Sequence, residues 1–186
     1  MDMPNIQAWR VEDILFNLVM WAVMMVAMMT PSATPMILTF AGLNRRRNTN
    51  ETPVIATTLF LAGYLIVWFS FSAAATLVQW GFHSVGLLSP DMISVTPLLG
   101  GILLILAGIY QFTPLKYVCL SKCRTPVSFL ATEWRDGTKG ALSMGLRHGI
   151  YCLGCCWTLM LLLFVAGIMN LLWVALIAGY VLVEKI

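Results

Sequence analysis

The chain alternates long uncharged apolar runs with short clusters of charge. No Asp, Glu, Lys or Arg occurs over 14–43, 52–82, 92–115 or 150–183, and a helix that crosses a bilayer needs about 20 apolar residues. The first three runs each predict one helix. The fourth is too long for one crossing, and Gly167 followed by Asn170 predicts a tight turn that divides it in two. The expectation is an all-α, polytopic transmembrane bundle of about five helices. Pro31 and Pro35 each lack a backbone donor and should kink or unwind the first helix in its cytoplasmic half. Gly63, Gly100, Gly101 and Gly108 read as positions of close helix packing.

Composition makes the membrane reading firmer. With 60% hydrophobic and 10% charged residues and a mean hydropathy of +0.86, a chain of this size has too little polar surface for a soluble globule. No repeat or linker divides it, so residues 1–186 are expected to form one integral membrane domain. The run from Ile14 follows Glu12 and Asp13, has no basic start and exceeds a signal-peptide core, so it is expected to stay in the mature protein. Arg45, Arg46 and Arg47 fall in the first loop; Lys116, Lys122, Arg124, Arg135, Lys139 and Arg147 in the third; Lys185 at the end; and Arg10 alone on the other side. Basic loops stay in the cytoplasm, which puts the N-terminus outside and the C-terminus inside. The net charge of +3 is therefore read as a topological signal and contact with the lipid bilayer; no aromatic-interleaved basic patch points to nucleic acid. Residues 115–146 form the longest expected extramembrane segment, a cytoplasmic loop in which Phe129, Leu130 and Trp134, between Pro126 and Gly137, predict a short amphipathic interfacial helix.

The chemistry is concentrated at one end of that loop. All five cysteines and His148 lie in the pattern Cys119-x3-Cys123, then His148-x3-Cys152-x2-Cys155-Cys156. On a helix, at about 100° per residue, His148, Cys152 and Cys155 fall within about 60° of one another, and Cys156 borders the same face. The expected topology brings both clusters to the cytoplasmic surface, where a reducing environment favours thiol or metal chemistry over disulfides. Thiolates and imidazole suit Cu(I), with Zn(II) as the alternative. Cysteine is also a small packing residue in membrane helices, and the spacing is not that of a standard zinc motif.

Methionine supplies a second set of soft donors. Met20, Met24 and Met28 repeat every fourth residue on the first helix, with Met25 and Met29 as a parallel pair and Met36 beyond the prolines. Thioethers bind Cu(I) without losing a proton, so Met24, Met25, Met28 and Met29 could relay copper; lipid-facing or packing methionine is the more ordinary reading of such a stripe. The absence of charge inside the apolar runs disfavours a proton relay.

Four runs carry a resemblance. They are Met24-Met25-Val26-Ala27-Met28-Met29-Thr30-Pro31, Ala107-Gly108-Ile109-Tyr110-Gln111-Phe112-Thr113-Pro114-Leu115-Lys116, Cys119-Leu120-Ser121-Lys122-Cys123-Arg124-Thr125-Pro126, and Gly149-Ile150-Tyr151-Cys152-Leu153-Gly154-Cys155-Cys156-Trp157, followed by Glu184-Lys185. Over nearly its whole length the chain resembles a bacterial family of unknown function described as "predicted metal-binding integral membrane protein". The resemblance implies a metal and points to Cys119, Cys123, His148, Cys152, Cys155 and Cys156. Tyr110, Gln111 and Lys116 also fall in its motifs. Tyr110 and Lys116 read as interface anchors, and Gln111 as a buried amide that could support the site.

The expected function is a non-catalytic protein of the bacterial inner membrane that binds a soft metal, copper first, and handles or transports it with another membrane or metal-carrying protein as partner. Two other classes stay open. One is an accessory subunit of a larger membrane complex with structural cysteines. The other is a membrane thiol redox protein using the Cys152-x2-Cys155 spacing, with a thiolate favoured by the helix N-terminus and His148.

Overall fold

The computed structural model describes residues 10–47, 53–85, 97–166 and 170–185, and every element among them is an α-helix. In chain order these are α1 (Val11–Arg47), α2 (Pro53–Ser84), α3 (Pro97–Gln111), α4 (Pro114–Arg124), α5 (Pro126–Glu133), α6 (Gly137–Leu161), α7 (Leu163–Ala166) and α8 (Leu171–Lys185). The helical bundle expected from the apolar runs is what the chain forms. Three stretches, Val11–Arg47, Val54–Ser84 and Gly137–Ala166, are long and apolar enough to cross a bilayer. α3 and α4 reach that length only as a pair bent by 65°, and α8, at 15 residues, is shorter than a usual crossing. The described helices thus hold three or four segments of crossing length where the sequence predicts five. Gly167 and Met169, in the expected turn, and Met92, at the start of the third run, lie outside the described residues.

Residues 115–146, expected as a loop around one short helix, are helical almost throughout: α4, α5 and the first turns of α6. The prolines there start helices instead of breaking them. Thr113 and Thr125 precede Pro114 and Pro126, each proline sits in the first turn where its missing N–H costs nothing, and the Thr113 side chain accepts from the Lys116 backbone N–H. α5 lies where a short helix was expected, but its Phe129 and Leu130 are fully buried against Met36 and Phe40 of α1, Phe60 of α2 and Met144 of α6. Within that cluster Phe40 stacks on Phe60 with ring centroids 4.7 Å apart.

α1 runs without interruption through Pro31 and Pro35, so no unwound segment forms. Just before Pro31 the Met29 carbonyl accepts from the Ser32 hydroxyl at 2.9 Å and from the Tyr64 hydroxyl of α2 at 3.1 Å. A second tie between α1 and α2 joins Trp21 Nε1 to Gln79 Oε1 at 2.8 Å.

The most extensive helix pair is α2 with α6, and glycine makes it possible. A Cβ at Gly63 would strike the Leu142 carbonyl, one at Gly145 the Phe60 carbonyl, and one at Gly149 the Val67 side chain. Gly63 is thus the close-packing position its sequence suggests, whereas Gly101 and Gly108 face open space. Backbone atoms cannot give as a side chain can. Gly145→Ala is expected to force the pair apart and to cost about 1–3 kcal/mol or more, seen as a lower thermal midpoint in detergent, with Gly108→Ala unchanged as the control.

Candidate metal centre

α6 carries most of the site, and its face is set by the spacing of its cysteines. His148, Cys152, Cys155 and Cys156 are all buried, as their placement on one side of a helix requires. The Cys155 and Cys156 thiols both turn back to donate to the Cys152 carbonyl, at 3.1 and 2.9 Å. The Cys152 sulfur is met from other helices by the Tyr64 hydroxyl and the Lys185 ammonium. Cys123, buried on α4, packs into the same core from across the helix interface. Cys119, one turn earlier on α4, is only half-buried and packs over Gly154 at the edge of the cluster. All five cysteines are free thiols.

His148 lies one turn before Cys152 in an aromatic cage. Its ring is 5.5 Å from Tyr64, 5.7 Å from Phe129 and 6.0 Å from Phe60, centroid to centroid, and its buried Nδ1 has no hydrogen-bond partner. A buried nitrogen left this way is costly unless something else takes the lone pair or proton.

The methionines divide between two environments. Met25 and Met29 are fully buried, and Met28 nearly so, in one continuous core with Cys123, Cys152, Cys155, Cys156 and Met160. Met20, Met24 and Met28 line an apolar groove of about 610 Å³ between α1 and α8, together with Phe16, Leu171 and Val174. Met28 belongs to both and so joins the groove to the sulfur-rich core. Met36 lies apart, in the cluster around Phe40 and Phe60.

Two groups at Cys152 were not singled out from sequence as part of a site. The Tyr64 hydroxyl is 3.2 Å from its sulfur while also bonding to Met29. The Lys185 ammonium donates to the same sulfur at 2.8 Å and to the Ser32 hydroxyl at 3.1 Å. Lys185 is only 8% exposed, not a loop charge at the membrane surface. Lys116 is likewise buried, not an interface anchor: it pairs with Glu184 and donates to Gln111 Oε1. Gln111, Lys116 and Glu184 together fix the end of α8, which aims Lys185 at Cys152. The signal available in the sequence was the pair Glu184-Lys185 closing an apolar helix, where charge needs a partner. Tyr110 donates to the Gly154 carbonyl and meets Trp157 edge-on at 5.4 Å, pinning α3 to α6.

A family model described as a copper chaperone, PpoB2, matches residues 18–186. The chain belongs to the PpoB2 copper chaperone family. No curated protein and no solved structure matches it. Membership in PpoB2 agrees with the metal-handling family that the sequence resembles and suggests copper as the metal. The donor chemistry fits: four thiols and four thioethers share one buried core, and soft sulfur donors suit copper. The fit is in kind rather than in preset geometry. Among the described residues no three His, Cys, Asp or Glu side chains converge on one metal position.

Proposed function

We propose that this chain is a multi-pass membrane copper chaperone, non-catalytic, that takes Cu(I) along the methionine side of α1 and holds it at the cysteine face of α6. The observation that carries the reading is the single buried core shared by Met25, Met28, Met29 and Met160 with Cys123, Cys152, Cys155 and Cys156. Cys152 and Cys123 are the primary pair, Cys155 and Cys156 become available by rotation, and His148 is a further donor. Cys119 stands at the rim, placed to meet incoming or outgoing metal. Met20 and Met24 in the groove, Met28 at its inner wall and Met25 and Met29 behind it form a graded path of thioethers. Their weak, neutral ligation suits transfer rather than storage.

The bilayer is the surrounding medium, and the partner is another metal-carrying or membrane protein. With Lys116 and Lys185 buried, orientation rests on Arg45, Arg46, Arg47, Lys122, Arg124, Arg135, Lys139 and Arg147 against Arg10, which favours an outside N-terminus; α3 and α8, counted as short crossings beside α1, α2 and α6, then bring the C-terminus to the cytoplasm. A thiol redox role is less well supported, since Cys152 and Cys155 are almost wholly buried and a mixed disulfide needs an accessible sulfur.

The test is elemental analysis of protein purified anaerobically in detergent, beside a variant carrying Cys152→Ser, Cys155→Ser and Cys156→Ser. About one copper per chain is expected in the parent and none in the variant. No copper in the parent after Cu(I) loading would sink the reading.

A further inference from the structure

Lys185 presents a problem in electrostatics that its surroundings resolve in one way. A buried ammonium needs compensating negative charge. Among the described residues the ion pairs join Lys116 to Glu184 and Arg147 to Glu133, and neither includes Lys185. The groups that face the ammonium are the Cys152 sulfur at 2.8 Å, the Ser32 hydroxyl at 3.1 Å, and beyond them Tyr64, Cys155, Cys156 and His148. A charge that would ordinarily sit against a carboxylate is set against a sulfur cluster.

We propose that Lys185 is the specificity-determining residue of the metal centre, a fixed positive charge that favours a monovalent soft ion over a divalent one. The inference rests on the copper reading above and adds the basis of selectivity to it. Thiolates and imidazole by themselves accept Zn(II) as readily as Cu(I), so the donor set alone does not discriminate. A cation beside Cys152 does. Its repulsion scales with the charge of the incoming metal, so a divalent ion meets twice the penalty of a monovalent one at the same position. This direction holds whichever number of thiolates binds, because Lys185 contributes one unit of charge in every case.

The positioning is built rather than incidental. Glu184, the residue before Lys185, is held by Lys116, and Lys116 by Gln111. The ammonium is therefore delivered from α8 to Cys152 on α6 by an anchor on α3 and α4. The side chain also closes a link between Ser32, within the proline-flanked turn of α1, and Cys152.

The experiment compares the full chain in detergent with Lys185→Leu, Lys185→Gln and Lys185→Arg, under anaerobic reducing conditions. Dissociation constants for Cu(I) and for Zn(II) are measured separately, by competition with chromophoric chelators of each ion. Lys185→Leu and Lys185→Gln are expected to tighten Zn(II) by about tenfold or more beyond any change for Cu(I), and Lys185→Arg to keep the parental preference. Having two neutral variants guards against one that does not fold. Equal shifts for the two ions, or none, with Cu(I) still bound by the parent, would overturn the role of Lys185 and leave the copper reading standing. Failure of the parent to bind Cu(I) would overturn both.

Discussion

Cys152→Ser is expected to weaken Cu(I) retention by on the order of a hundredfold or more, while Cys119→Ser leaves most of it. The two thiols differ in what surrounds them. The sulfur of Cys152 is approached by Lys185 at 2.8 Å and Tyr64 at 3.2 Å, and Cys123 of α4 packs in the same buried core. Serine would keep the hydrogen bonds approximately but replace a soft, polarisable donor with a hard one that Cu(I) does not favour. Cys119 is half-buried over Gly154 at the rim, where its loss should slow exchange with a partner more than it lowers affinity. Chelator competition on the two variants side by side reads the difference. Equal losses would move the centre of the site from α6 to α4.

The second large effect is on stability. Glu184→Gln is expected to cost about 3–5 kcal/mol, because it leaves the Lys116 ammonium buried without its counter-charge. The Lys116 side chain is 4% exposed and that of Glu184 17%, so solvent can do little to replace the lost partner. The Gln111 carbonyl oxygen remains as an acceptor, but a neutral amide does not neutralise a cation. Adding Lys116→Met removes the stranded charge, and the double variant should recover much of the loss. The cycle is read from thermal midpoints in detergent; a double variant no better than the single one would show that the pair contributes nothing through its charge.

Those two residues also mark where the sequence stopped being informative. The long helices were legible because an apolar run of bilayer length admits few other folds; α1 and α2 span the runs that predicted them, while over half of α6 precedes its run. The cysteines were legible because four of the six candidate donors share one helix, whose period fixes their common face. Lys116 and Lys185 were not. Each sits beside an apolar run, where a lysine ordinarily marks the water interface, and their partners are 68 and 33 positions away in the chain. A single sequence carries no record of which distant residues meet. The same limit applies to Thr113-Pro114 and Thr125-Pro126, which look like breaks until one sees a helix start at each. It applies again to glycine: Gly63 and Gly108 both follow an alanine in an apolar run, yet only Gly63 has a neighbouring backbone against it.

The two walls of the sulfur cluster are unequal in kind. α6 meets α2 at glycines whose backbones are in close contact, while α4 is an 11-residue helix with its own start and stop, joined to α3 through a 65° bend. An ion shared by Cys152 and Cys123, as the proposed function has it, would bridge the two helices that carry them. By thermodynamic linkage metal binding and the docking of α4 on α6 would then be coupled: whatever the ion gained from that docking, the docking would gain from the ion. A partner that drew α4 away from α6 would weaken the grip on the metal.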